Sequence, residues 1–170
     1  MQTLVMTVIA PDRTGLVESI ARAVADRGGN WLESRMCRLG GEFAGILRIE
    51  IPADKESALL ESLQKISGLN VTVRADETKI SGKIARQSKL EIVGHDRPGI
   101  VREISAALAR SGVNVEEFSS ELVSAPMSGE ELFKANARLQ LPEKCDLASL
   151  KKELEKIATD LLVDVSLAEV

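Results

Sequence analysis

Tyrosine is absent from this chain, tryptophan occurs once, at Trp31, and phenylalanine only three times. Any core must therefore be filled by Leu, Ile, Val and Ala. Cysteine is scarce as well. Cys37 and Cys145 stand far apart, with no Cys-x-x-Cys spacing and no Cys/His cluster around them. That spacing, with no secretory leader, predicts a reduced, cytoplasmic protein without a disulfide framework. One histidine, His95, does not make a metal site of the usual kind. No apolar run approaches the ~20 residues of a membrane span. Positive excess is lacking too. Residues 1–84 carry 11 acidic and 11 basic side chains and residues 85–170 carry 15 and 11, giving the net charge of -4. A surface that grips nucleic-acid phosphates normally shows a basic balance, so direct nucleic-acid binding is not expected.

What is present is a repeat. Val8-Ile-Ala-Pro-Asp-Arg-Thr-Gly-Leu-Val-Glu-Ser-Ile recurs 84 positions later as Ile92-Val-Gly-His-Asp-Arg-Pro-Gly-Ile-Val-Arg-Glu-Ile. The offset holds through Gly28/Gly112, Asn30/Asn114 and Glu33/Glu117. A chain of 170 residues has room for two domains of about 80 residues each.

Both copies follow one pattern. A short apolar strand (Met6 and Val8; Leu90 and Ile92) precedes an amphipathic helix. The helix carries Leu16, Val17, Ile20, Ala23 and Val24 on one face, matched by Ile100, Val101, Ile104, Ala107 and Leu108. Gly28 and Gly112 are placed to end these helices in the left-handed conformation. A second strand follows each asparagine. In the third strand Phe43, Gly45, Leu47, Ile49 and Ile51 alternate with Ile46, Arg48 and Glu50, as Phe133, Ala135, Ala137, Leu139 and Leu141 do with Lys134, Asn136, Arg138 and Gln140. Such alternation predicts a sheet with one covered face. Pro52 and Pro142 end that strand. A second helix (Leu59, Leu60, Leu63, Ile66; Leu147, Leu150, Leu154, Ile157) and a last strand near Leu69–Val73 and Leu162–Leu167 complete each copy.

The order β-α-β-β-α-β, twice, predicts an α+β protein of two ferredoxin-like domains, each an antiparallel four-stranded sheet with two helices on one face. The expected boundaries are 1–80, a polar linker 81–88, and 89–170. The basic residues Lys79, Lys83, Arg86 and Lys89 near that linker are too sparse to outweigh the acidic balance.

Strand, Asp-Arg-x-Gly-[Leu/Ile]-Val, helix, then Gly-x-Asn opening the next strand resembles the ACT domain, a small regulatory module that often binds amino acids. The resemblance covers nearly the whole chain. Within it, the bare tandem arrangement and the loop from Pro126 to Phe133 are similar to regulators of glycine cleavage. The resemblance implies a non-enzymatic amino-acid sensor without cofactor, with glycine or serine as ligand. It implies action through a DNA-binding transcriptional activator as protein partner, with homo-oligomerisation left open. Two alternatives stand beside it: an ACT interaction module without ligand, and a relative of the regulatory part of formyltetrahydrofolate deformylase. The second half repeats the first and leaves no residues for that enzyme's hydrolase domain.

The turn from first strand to first helix is the informative place. Unpaired N–H groups and the positive end of the helix dipole suit a carboxylate there. Gly15 and Gly99 allow close approach to the backbone, and the amides of Asn30 and Asn114 offer a donor and an acceptor. The ligand-binding set is therefore Asp12, Thr14, Gly15, Leu16 and Asn30 in the first copy, and Asp96, Pro98, Gly99, Ile100 and Asn114 in the second. A plainer account competes. Asp12 and Asp96 suit helix N-caps, Pro98 a first helical turn, the glycines tight helix–strand packing, and the asparagines a simple turn. His95 beside Asp96 lacks any nucleophile signature, so catalysis is not expected. Trp31 and Thr14 are where the first copy departs from the second, which bears on whether both copies take the same ligand.

Overall fold

The computed structural model describes residues 1–77 and 86–170. Alternation of apolar and polar residues sets the strands, and the two stretches of helical periodicity in each copy set the helices. In the first copy these are β1 (Gln2–Pro11), α1 (Leu16–Ala25), β2 (Asn30–Leu39), β3 (Glu42–Ile51), α2 (Glu56–Gln64) and β4 (Asn70–Ala75). The second has β5 (Arg86–His95), α3 (Ile100–Arg110), β6 (Asn114–Ser124), β7 (Glu131–Leu141), α4 (Leu147–Leu161) and β8 (Val163–Glu169). Each forms one antiparallel four-stranded sheet, ordered β2-β3-β1-β4 and β6-β7-β5-β8. The chain divides into two compact units, Met1–Ile80 and Ser81–Val170.

Each unit has its own aliphatic core between the sheet and its helices. In the first, Leu4, Met6 and Val8 of β1 and Leu47, Ile49 and Ile51 of β3 meet Leu16, Ile20 and Val24 of α1 and Leu59 and Leu63 of α2. In the second, Leu90, Ile92, Leu139 and Leu141 meet Ile100, Ile104, Leu108, Leu150 and Leu154. The alternation in β3 and β7 is as expected, and Ile46 on the opposite face is exposed. Val17 and Val101 are a correction. Read as core-facing, they are 45% and 43% exposed, because a step of one residue turns a helix by about 100°.

The ends of α1 and α3 are as the glycines predicted. Gly28 and Gly112 adopt φ of +70° and +67°. Their N–H groups reach Ala25 and Ala109, and the next N–H groups, of Gly29 and Val113, reach back to Val24 and Leu108. This is the paired pattern of a Schellman motif. At the linker the reading needs amending. Arg86, Gln87 and Ser88 belong to β5, and Ser88 is fully buried with no hydrogen-bond partner for its hydroxyl. Polarity made them look like connector. The rest of that stretch, with Lys79 and Lys83, lies outside the described residues.

The start of α4 is the one side-chain cap among the four α-helices. The Asp146 carboxylate accepts from the N–H groups of Ala148 and Ser149 (3.1 and 3.2 Å) and from the Ser149 hydroxyl (2.7 Å). The Ser149 hydroxyl, followed by these backbone donors, holds the Asp146 carboxyl below the usual aspartate value. A pKa lowered by folding adds stability above the unfolded-state value and loses it as pH falls through the folded one. Asp146→Ala is therefore expected to lower the unfolding midpoint at neutral pH, with the gap to the parent closing in acid. Denaturant titrations at both pH values check this. A gap of the same size in acid would show that ionisation is not what the cap contributes.

Candidate functional site

β1 is held to its end by pairing with β3: Pro11 lies opposite Glu42, and the Asp12 N–H reaches the Gly41 carbonyl at 2.9 Å. The chain then turns through Gly15, at φ +83°, into α1. The Gly15 carbonyl accepts the first helical hydrogen bond, from Ser19 N–H at 2.9 Å, and no side chain caps the helix. The second unit repeats this at Gly99, with φ +98° and the Glu103 N–H bonded to its carbonyl at 2.9 Å. Two helix starts thus present N–H groups without a side-chain acceptor, beside an α4 that has one.

This geometry overturns the plainer account of the turn. Asp12 and Asp96 are not N-caps; the cap positions are Gly15 and Gly99, three residues later. Pro98 precedes the cap and is not in the first helical turn. The glycines do not serve tight packing either. A Cβ at Gly15 or Gly99 would meet nothing within 4 Å, so the backbone conformation demands glycine and the space above it is open. Leu16 and Ile100 are buried, 3% and 2% exposed, so their side chains anchor the helix start and only their backbone N–H groups are available to a ligand. Asp12, Thr14, Asp96 and Pro98 are exposed.

The structure separates Asn30 and Asn114 from these turns. Asn30 lies opposite Glu50, which pairs with Thr3 at the beginning of β1, whereas Asp12 follows the end of that strand. From Thr3 to Pro11 the strand spans roughly 26 Å at its usual rise. Asn114 is placed alike, opposite Gln140, which pairs with Gln87. An amino acid, only a few ångströms long, cannot touch the turn and the asparagine of one unit together. The 18 positions between Asp12 and Asn30 conceal this, because α1 carries the chain back along the sheet before β2 begins.

A family model for the ACT domain matches residues 2–75 and 90–168, both units in turn. The chain belongs to the ACT domain family. It is related to the glycine cleavage system transcriptional repressor of Escherichia coli, 24% identical over 93% of this chain and 85% of that one. A crystal structure of an unknown protein from Galdieria sulphuraria is 29% identical, covers 99% of this chain and 98% of its own, and superposes with a TM-score of 0.89. Another, provisionally described as a glycine cleavage system transcriptional repressor, shares the fold at 21% identity and a TM-score of 0.69, covering 99% of this chain and 97% of its own.

The two ACT units differ around the shared turn. Arg38 Nε lies 2.8 Å from the Asp12 carboxylate, and Leu122 stands at the corresponding place on β6. Asp96 has no ion-pair partner among the described residues. Sequence reading missed Arg38, although its replacement by Leu122 in the repeat was the available signal. His95 is exposed, with Nδ1 at 3.5 Å from Glu130 Oε2. Among the described residues no three His, Cys, Asp or Glu side chains gather as metal ligands, and no helix is long and apolar enough to cross a membrane. Trp31 packs partly buried against the first core. Immediately after each asparagine the edge strand bulges, between Trp31 and Glu33 and between Val115 and Glu117.

Proposed function

We propose that this ACT protein is a cytoplasmic amino-acid sensor that regulates transcription through a DNA-binding protein partner. The observation that carries the proposal is the pair of uncapped helix starts at Gly15 and Gly99, each with open space above a glycine in the left-handed region. A ligand carboxylate placed there accepts from the first N–H groups of the helix and sits at the positive end of its dipole. Asp12 with Thr14, and Asp96 with Pro98, then border the ligand, and the Asp96 carboxylate is available to an ammonium group. Asn30 and Asn114, at the far ends of β1 and β5 from these turns, do not touch a ligand held at the turn of their own unit. Glycine and serine are the first candidates, small enough for a shallow exposed turn and consistent with the relationship to a glycine cleavage regulator. A net charge of -4 supports a partner, and not this chain, as the DNA-binding component.

Thermal unfolding against the twenty amino acids tests this. A ligand that binds only the folded state, at ~100 times its dissociation constant, adds about 2.7 kcal/mol. A selective rise in Tm with glycine or serine is expected. No rise with any amino acid would overturn the sensor reading and favour the interaction module. One observation favours that second reading: β6 is an edge strand exposed along nearly its whole length, with Val115, Phe118 and Leu122 at 39%, 46% and 52% exposure.

A further inference from the structure

The helix side of the first unit holds a feature that the turn does not explain. Between α1 and α2 lies a cleft of about 410 Å³ lined by Arg13, Arg22 and Arg27, with Asp26, Ser62 and Ser67. Its volume falls in the range of small-molecule sites, and its lining carries three cations against one carboxylate. Gathering three guanidinium groups in a chain of net charge -4 works against their mutual repulsion.

Among the described residues little neutralises them. Glu18 lies 3.6 Å from Arg22 with both side chains 63% exposed, a pairing of small value in water. Arg27 donates from Nε to the Ala58 carbonyl at 2.9 Å and from Nη1 to the Ala23 carbonyl at 3.4 Å. These bonds fix its guanidinium between the helices without cancelling its charge. Arg13 reaches across from the β1–α1 turn to the turn at Gly68.

The repeat supplies the comparison. In the second unit Arg22, Asp26 and Arg27 correspond to Ala106, Arg110 and Ser111, and Ser62 corresponds to Glu153, where Leu59 and Leu63 match Leu150 and Leu154. There Arg110 and Glu153 form an ion pair across the two helices, with Nη2 at 2.5 Å and Nε at 3.1 Å from Oε1. The second unit thus spans this groove with an ion pair, whereas the first gathers Arg22 and Arg27 there beside Arg13, whose counterpart Arg97 is the one arginine of the three that the repeat keeps.

We propose that the α1–α2 groove of the first unit binds a small phosphate-bearing metabolite that also carries a hydroxyl or amine. Guanidinium forks match phosphate oxygens bidentately, and the Ser62 and Ser67 hydroxyls add donors. Asp26 accepts from the ligand's hydroxyl or amine and disfavours a bare polyanion. Arg13 is shared with the β1–α1 turn, whereas the rest of the lining comes from α1, α2 and the turns that follow them, and the ligand differs from an amino acid.

The test follows backbone amide resonances of the full chain during titration with ribose 5-phosphate, and with inorganic pyrophosphate as the bare polyanion that Asp26 should make the weaker ligand. Saturable shifts are expected at Arg22, Asp26, Ser62 and Ser67, with none at Arg110 or Glu153. The Arg13→Gln/Arg22→Gln variant alters two exposed side chains and should bind at least roughly tenfold more weakly with an unchanged Tm. Ser62→Glu, which places in the groove the residue the second unit already tolerates, should weaken binding as well. Absence of saturable binding of ribose 5-phosphate at millimolar concentration, or tighter binding of pyrophosphate than of ribose 5-phosphate, would overturn the proposal. So would an affinity unchanged from the parent in both variants, or shifts centred on Gly15 and Gly99 in the two units alike. The amino-acid screen is decided independently of these outcomes.

Discussion

Ile49→Ala should destabilise the first unit by about 2–5 kcal/mol, the range for removing a buried branched side chain from a packed core. Ile49 is 0% exposed on β3, one of the two inner strands, with Leu4 opposite it on one side and Trp31 on the other. Its core neighbours, on the two flanking strands and on the helices that cover them, are mostly aliphatic and buried, which leaves little freedom to collapse into the vacated volume. Against a typical domain stability of about 5–15 kcal/mol, that loss is a large fraction. Trp31, the only tryptophan, packs against the same core, so its fluorescence reports this unit specifically. Denaturant unfolding followed at Trp31 checks the prediction. A loss below about 1 kcal/mol would mean that the site relaxes around the cavity, contrary to a tightly packed aliphatic core. Leu139→Ala, at the matching place on β7 and equally buried, should cost the second unit a similar amount.

That pair was legible from the sequence because period-two alternation is a short-range signal, and the repeat supplied it twice. The fold class was legible for the same reason, as were the glycines that end α1 and α3. What failed depended on direction in space. Val17 and Val101 sit one step round the helix from buried neighbours, and an apolar residue at a face's edge reads like one at its centre. Asp12 and Asp96 looked like caps because their chemistry suits capping, but the chain spends three more residues reaching the left-handed glycine that starts the helix. The asparagines looked close to the turn because sequence distance ignores the return run of α1. The arginine groove was invisible to charge counting. Eleven acidic and eleven basic residues balance over the first half, while the fold collects Arg13, Arg22 and Arg27 on one side of two helices.

Two glycines that look alike in the sequence should respond to substitution in opposite order. Gly94 lies in β5 opposite Val163 at the start of β8, and a Cβ there would stand 2.5 Å from Val163 Cγ1 and 2.7 Å from its Cα. The obstacle includes backbone, so the strand itself must shift. Gly94→Ala should cost about 1–3 kcal/mol, and Gly94→Asn more, because extra atoms deepen an overlap. At Gly15 the obstacle is conformational. Open space surrounds the added Cβ, but φ is +83°, which costs an L-residue roughly 1–2 kcal/mol. Asparagine visits that region more readily than alanine, so Gly15→Asn should be milder than Gly15→Ala. Denaturant unfolding of the four variants tests the crossing. If Asn proved worse than Ala at both positions, side-chain overlap would govern both, and the space above Gly15 would not be open. An open turn is also what the sensor proposal requires. A Gly15→Asn variant that keeps its stability yet loses an amino-acid response would place the ligand directly over that residue, since the substitution fills the space while the helix start keeps its conformation.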